Sequence, residues 1–174
     1  DEAEELVDRV RKLAEDVHKK NEDVLRESDA LVKDSDRRNR EALRRVEKLV
    51  EDVEELLRRG EIREEEIDKV LKEIARLLDE LRKENKDLSR RNEELIERVE
   101  RENRRVLTEI DKLVKEIPVE EVKRRIKELL KRVEESVRTV EEELRRLSKE
   151  SEESVKRVED RIRELLKRLR DAAR

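Results

Sequence analysis

Apolar residues return every third or fourth position along almost the whole chain, in three stretches of equal length. The first runs from Leu6 to Leu56, the second from Ile67 to Ile117 and the third from Val119 to Leu169. In each, the last position lies 50 residues beyond the first, reached in steps of three or four, a mean period of about 3.57. No charge falls on any of the fifteen positions in each seam, although 57% of the residues are charged. A stripe of that period marks one face of an α-helix turned inward. The period lies between that of a straight helix and a strict heptad, so it predicts long, nearly straight helices with a weak left-handed supercoil.

Two places break the pattern. Arg58-Arg59-Gly60-Glu61-Ile62 contains the sole glycine, suited to the left-handed position that closes a helix. Glu116-Ile117-Pro118-Val119 contains the sole proline, which restricts Ile117 and suits the first turn of a following helix. Acidic residues follow each break and basic residues precede it, as helix dipoles favour. Both connections are short, so successive helices must be antiparallel neighbours. The expected fold is all-α: an antiparallel up-down-up three-helix bundle of long helices, coiled-coil-like in packing. It is expected as a single domain over 1–174, with helices at about 2–59, 63–116 and 119–172.

Eight seam positions are polar: Asn21, Ser28, Ser35, Asn39, Asn85, Asn92, Asn103 and Ser151. Scattered in a core, each would be a liability of about 1–3 kcal/mol. Counting the seams from one end, with the second helix read backwards, gathers them. The fifth layer holds Asn21, Asn103 and Val133, with His18 and Ser136 one step away. The tenth holds Asn39, Asn85 and Ser151, with Ser148 and Ser89 near and Ser35 one layer off. Ser28 and Asn92 fall in the seventh and eighth, beside Thr139. Amides and hydroxyls both donate and accept, so such layers can satisfy themselves across helices and fix register. The other reading turns some of these side chains to water. If they are networked, Asn103→Ala should cost more than Ser28→Ala, because the amide leaves more partners unmet.

A second apolar row flanks the seams: Val7, Leu25, Val32, Leu43 and Val50 on the first helix, and Val70, Leu77, Ile96 and Leu107 on the second. Either it widens the core, as bundle helices commonly do, or it forms a groove that accepts a partner helix or a second copy. The third helix has little of it, chiefly Leu130 and Leu166.

Composition narrows the possible chemistry. The chain has 174 residues and no Phe, Trp, Tyr, Cys or Met, so its core must be built from Leu, Ile, Val and Ala. A formal net charge of −4, from 52 acids and 48 bases, favours neither nucleic acid nor anionic membrane. Absence of cysteine removes disulfides, thiolate nucleophiles and sulfur metal sites. No apolar run approaches the ~20 residues that a membrane span needs. The chain opens at Asp1 without methionine, as expected where a leader or tag has been removed, and soluble cytoplasmic expression is expected.

His18, the only histidine, is a poor zinc ligand alone and fits better as a member of the Asn21 layer. Close pairs such as Glu54-Glu55 and Glu142-Glu143 mean little without a desolvating cleft, and none is expected. The basic cluster Arg37-Arg38-Asn39-Arg40 is interrupted by acids and lacks aromatics for base stacking. One glycine cannot build a phosphate-cradling loop. No catalytic residues, metal, cofactor, small molecule or nucleic-acid partner is therefore expected.

Taken together, the equal seams, the near-uniform Glu/Lys/Arg surface, the polar layers and the minimal connections resemble computationally designed helical bundles with buried hydrogen-bond networks. The resemblance covers the whole chain and rests on regularity rather than on a motif. It implies a scaffold or association module without natural biochemical activity, working as a monomer or with a designed helical partner.

Overall fold

The structure is a computed structural model and describes residues 2–174. Three α-helices make up the fold: α1 (Glu2–Arg59), α2 (Glu64–Glu116) and α3 (Glu120–Ala172). At about 1.5 Å per residue each is roughly 80–90 Å long. Acidic residues occupy every first turn, including Glu64, Glu65 and Glu66 of α2, and basic residues every last turn, including Arg58 and Arg59 of α1. The molecule is an antiparallel three-helix bundle. Among the described residues, no helix is long and apolar enough to cross a membrane.

Gly60 closes α1 at φ 66°. Its N–H donates to Leu57 O at 3.1 Å and that of Glu61 to Leu56 O at 3.0 Å. This pair of bonds is the Schellman arrangement, which satisfies carbonyls that the helix end would otherwise leave open. At the second connection the Lys123 N–H donates to Val119 O at 3.0 Å, so Val119 precedes the first helical turn of α3. Val119 is 50% exposed. The seam reading had placed it inside, but a residue at the cap leaves the helical stripe and turns outward.

Contacts divide the residues into two compact units, and every helix contributes to both. Of the described residues, those up to 30 and those from 92 to 148 form one unit, centred on Val10, Ile110 and Ile126. Residues 31–91 and 149–174 form the other, centred on Val46, Ile74, Ile162 and Leu169. These seven side chains are fully buried. Burying one valine, leucine or isoleucine side chain contributes about 1.5–3 kcal/mol, so repeated aliphatic layers compensate for the missing aromatics.

Candidate functional site

The polar seam residues are the groups whose placement in the bundle needs a chemical reason. All eight are buried. In the first unit the Ser28 hydroxyl donates to Asn92 Oδ1 at 2.8 Å, joining α1 to α2. In the second unit the Ser35 hydroxyl donates to Asn85 Oδ1 at 3.2 Å, and Asn39 Nδ2 donates to Ser35 Oγ at 3.3 Å. In the seam count these contacts join residues one layer apart.

Other expected partners stay apart. Asn103 Nδ2 donates outward to Glu141 Oε1 at 3.2 Å and forms no bond with Asn21, whose buried Nδ2 has no partner. Asn39 Oδ1 and Asn85 Nδ2 are also buried without partners. The bonded chain through Ser35 does not extend to Ser148 or Ser151. Thr139 donates to the Glu135 carbonyl of its own helix, and Ser89 to Glu152 at 3.3 Å.

His18 requires a correction. Its side chain is 58% exposed, with Nε2 3.0 Å from Glu22 Oε1 and Nδ1 3.4 Å from Ser136 Oγ. One step from the seam is enough to bring an imidazole to the surface, so His18 is a surface contact and not a buried network member. Ser136 and Ser148 are half-buried. Among the described residues, no group of three or more acidic or histidine side chains is placed to hold a metal ion.

Of the second apolar row, Leu43, Val70, Leu77 and Leu107 pack against the two cores. Val7, Val50 and Ile96 are buried; Leu25, Val32, Leu43, Val70, Leu77 and Leu107 are half-buried. Ion pairs between helices border the core: Arg45 with Glu73 at 2.7 Å, Arg168 with Glu54 at 2.7 Å, and Arg145 with Glu100. Exposed pairs of this kind contribute about 0–1 kcal/mol each. Within α3, a hydrogen bond from Arg146 and its positive charge hold the Glu143 carboxyl below its ordinary value of 4.5.

The bundle was expected to offer no cleft, and here the structure differs. In the second unit a partly open cavity of about 310 Å³ lies between α1 and α3. Val32, Ser35 and Asn39 line it from α1, and Ser151, Ser154 and Val155 from α3. Ser154 Oγ donates to Asp36 Oδ1 at 3.2 Å on its rim. Ser154 and Asp36 lie off the seams and were not singled out by periodicity. A signal was present nonetheless: small side chains, Ser35 with Asn39 and Ser151 with Val155, occupy facing layers where leucine or isoleucine would fill the space.

The chain is thus a three-helix bundle with individual hydrogen bonds inside its core. No family model matches the sequence, and no curated protein matches it. The chain is similar to a solved structure described as a computationally designed three-helix bundle, at 18% identity and a TM-score of 0.47, over 98% of this chain and 82% of that one.

Proposed function

We propose that this chain is a designed structural scaffold, without catalytic activity, in which buried polar contacts specify helix pairing and register. The carrying observation is the agreement between seam and bonding. Charge is excluded from every seam position, yet the polar exceptions Ser28 and Asn92, 64 residues apart, meet in the core. Ser35 and Asn85 do the same 50 residues apart. A purely apolar seam of near-uniform period lets helices slide by a turn at little cost. A buried bond opposes that slide, because displacement strands a donor or an acceptor.

The test is Asn85→Leu. The variant is expected to remain helical by circular dichroism but to lose its single mass in light scattering, populating other registers or oligomers. Unchanged cooperativity with one unchanged mass would remove register specification from the reading. The unaltered chain is expected at a steady mass near 21.1 kDa, because the second apolar row is buried or half-buried within it. A concentration-dependent dimer would instead make association the function.

The reading also treats the chain as one domain. All three helices contribute to both units, so neither can melt without breaking helices that the other uses. One urea transition, with the same midpoint for residues of either unit by hydrogen exchange or NMR, is the expected result. Two midpoints would divide the domain.

A further inference from the structure

We infer that His18 and Glu22 form a chelating site for Cu2+ at the surface of α1, with the imidazole Nε2 and a carboxylate oxygen as its two protein ligands. The residues are four apart on one helix, a spacing that places side chains one turn above another on the same face. Nε2 and Glu22 Oε1 already meet, 3.0 Å apart. Both side chains are more than half exposed, so an ion reaches them and the glutamate has room to swing aside and admit it. The carboxylate is not committed elsewhere. Arg26, one turn further along, is taken by Asp23, and among the described residues His18 is the one ionic partner of Glu22.

Ser136 of α3 supports the ring from its other side, with Oγ 3.4 Å from Nδ1. A neutral imidazole carries one N–H. Without metal that hydrogen lies on Nε2, donated to Glu22, and Nδ1 accepts from the serine hydroxyl. With Cu2+ on the Nε2 lone pair the hydrogen lies on Nδ1 and is donated to Ser136 Oγ. A hydroxyl both donates and accepts, so the contact survives the change of tautomer and the neutral ring releases no proton. A partner on the second nitrogen is what orients a metal-ligating histidine.

The identity of the ion follows from how little the protein supplies. Among the described residues no third acidic or histidine side chain is placed at the pair, so water completes the coordination. Zn2+ sites use three or four protein ligands, and Ca2+ takes six to eight oxygens. Cu2+ binds nitrogen and oxygen donors most tightly of the divalent first-row ions, and its tetragonal geometry accepts two adjacent ligands with water in the other positions. The chain has no Cys or Met, the soft ligands that would favour Cu(I). It has 52 acidic residues but one imidazole, and that nitrogen distinguishes this pair from every carboxylate elsewhere.

The probe is CuCl2, titrated into the intact chain at neutral pH and followed by calorimetry and by paramagnetic broadening of NMR signals. One saturable equivalent is expected, with the His18 ring and Ser136 broadened before signals elsewhere. His18→Ala is expected to abolish that equivalent. Glu22→Gln, which keeps the shape and removes the charge, is expected to weaken it about tenfold. Early broadening spread over the carboxylates or centred away from His18 overturns the site, as does unchanged affinity in either variant. ZnCl2 is expected to bind the unaltered chain more weakly than CuCl2; equal affinity overturns the choice of ion. Both positions are exposed, so the variants are expected to keep the fold, checked by helical circular dichroism. The mass measured without metal tests the scaffold reading separately, so the two can fail independently.

Discussion

The buried amides differ in what a substitution would leave behind, and this sets their energetic weight. Ser28 makes one bond, and its acceptor, Asn92, is 2% exposed. Ser28→Ala strands Asn92 Oδ1 away from water and is expected to cost about 1–3 kcal/mol. Asn103 donates to Glu141, whose side chain is only half-buried and can turn to solvent. The ranking drawn from the seams is therefore reversed: by urea denaturation, Ser28→Ala should lose at least as much stability as Asn103→Ala. Asn21 is the opposite case, since its Nδ2 is already without a partner. Asn21→Leu, with the same branching and number of side-chain heavy atoms and nothing to satisfy, is expected to raise stability by about 1 kcal/mol in the same assay. Glu143 carries a pH signature. Its carboxyl is held below 4.5 in the folded chain by Arg146, so the folded state binds the proton less readily than the unfolded one. Its contribution is complete above that ordinary value and is lost as pH falls through the lower, folded one. NMR titration should place the Glu143 midpoint below its ordinary value of 4.5, and Arg146→Gln should raise it. Burial of the eight polar seam residues was legible in the sequence because each falls on an otherwise uncharged helical stripe. Side-chain direction was not, since periodicity places a Cβ without choosing the rotamer that sends Asn103 to Glu141 or His18 to Glu22.

Elements are decided by their ends as much as by their seams. The bounds of α1, α2 and α3 follow from two residues, Gly60 and Pro118, because nothing else interrupts a helical period. Gly60 holds its place through backbone conformation alone. A Cβ built there meets nothing within 4 Å, yet φ of 66° is unfavourable for any residue with a side chain. Gly60→Ala is expected to cost about 1 kcal/mol, read as a lowered urea midpoint with helical content unchanged. A neutral result would mean that the Schellman bonds of Gly60 and Glu61 contribute little. The start of α3 was less legible. Proline limits where a helix can begin, but the cap residue is fixed by which carbonyl the first turn uses, and the bond from Lys123 to Val119 O sets it one residue later than the seam suggested.

For the whole molecule, topology was readable because short connections leave antiparallel neighbours as the only arrangement. The cavity was not, since it depends on missing volume rather than on pattern: a serine and a leucine occupy a seam position equally well in a count of charges. The distribution of bonds has a further consequence. The two buried serine–asparagine contacts that cross between helices, Ser28 with Asn92 and Ser35 with Asn85, tie α1 to α2. The polar contacts that reach α3 each involve a more accessible group: Ser154 with Asp36, His18 with Ser136, and the half-buried Glu141 to which buried Asn103 donates. On the proposed reading, in which buried contacts specify pairing, the first two helices are keyed to each other like a matched pair, whereas the third is recognised mainly by its greasy stripe. A foreign helix with the same stripe could take the place of α3 after a cut at the Pro118 connection, while a substitute for α2 would also have to carry the teeth of the key. Interchangeability is concentrated in one third of the chain, where a modular component with an exchangeable part would need it.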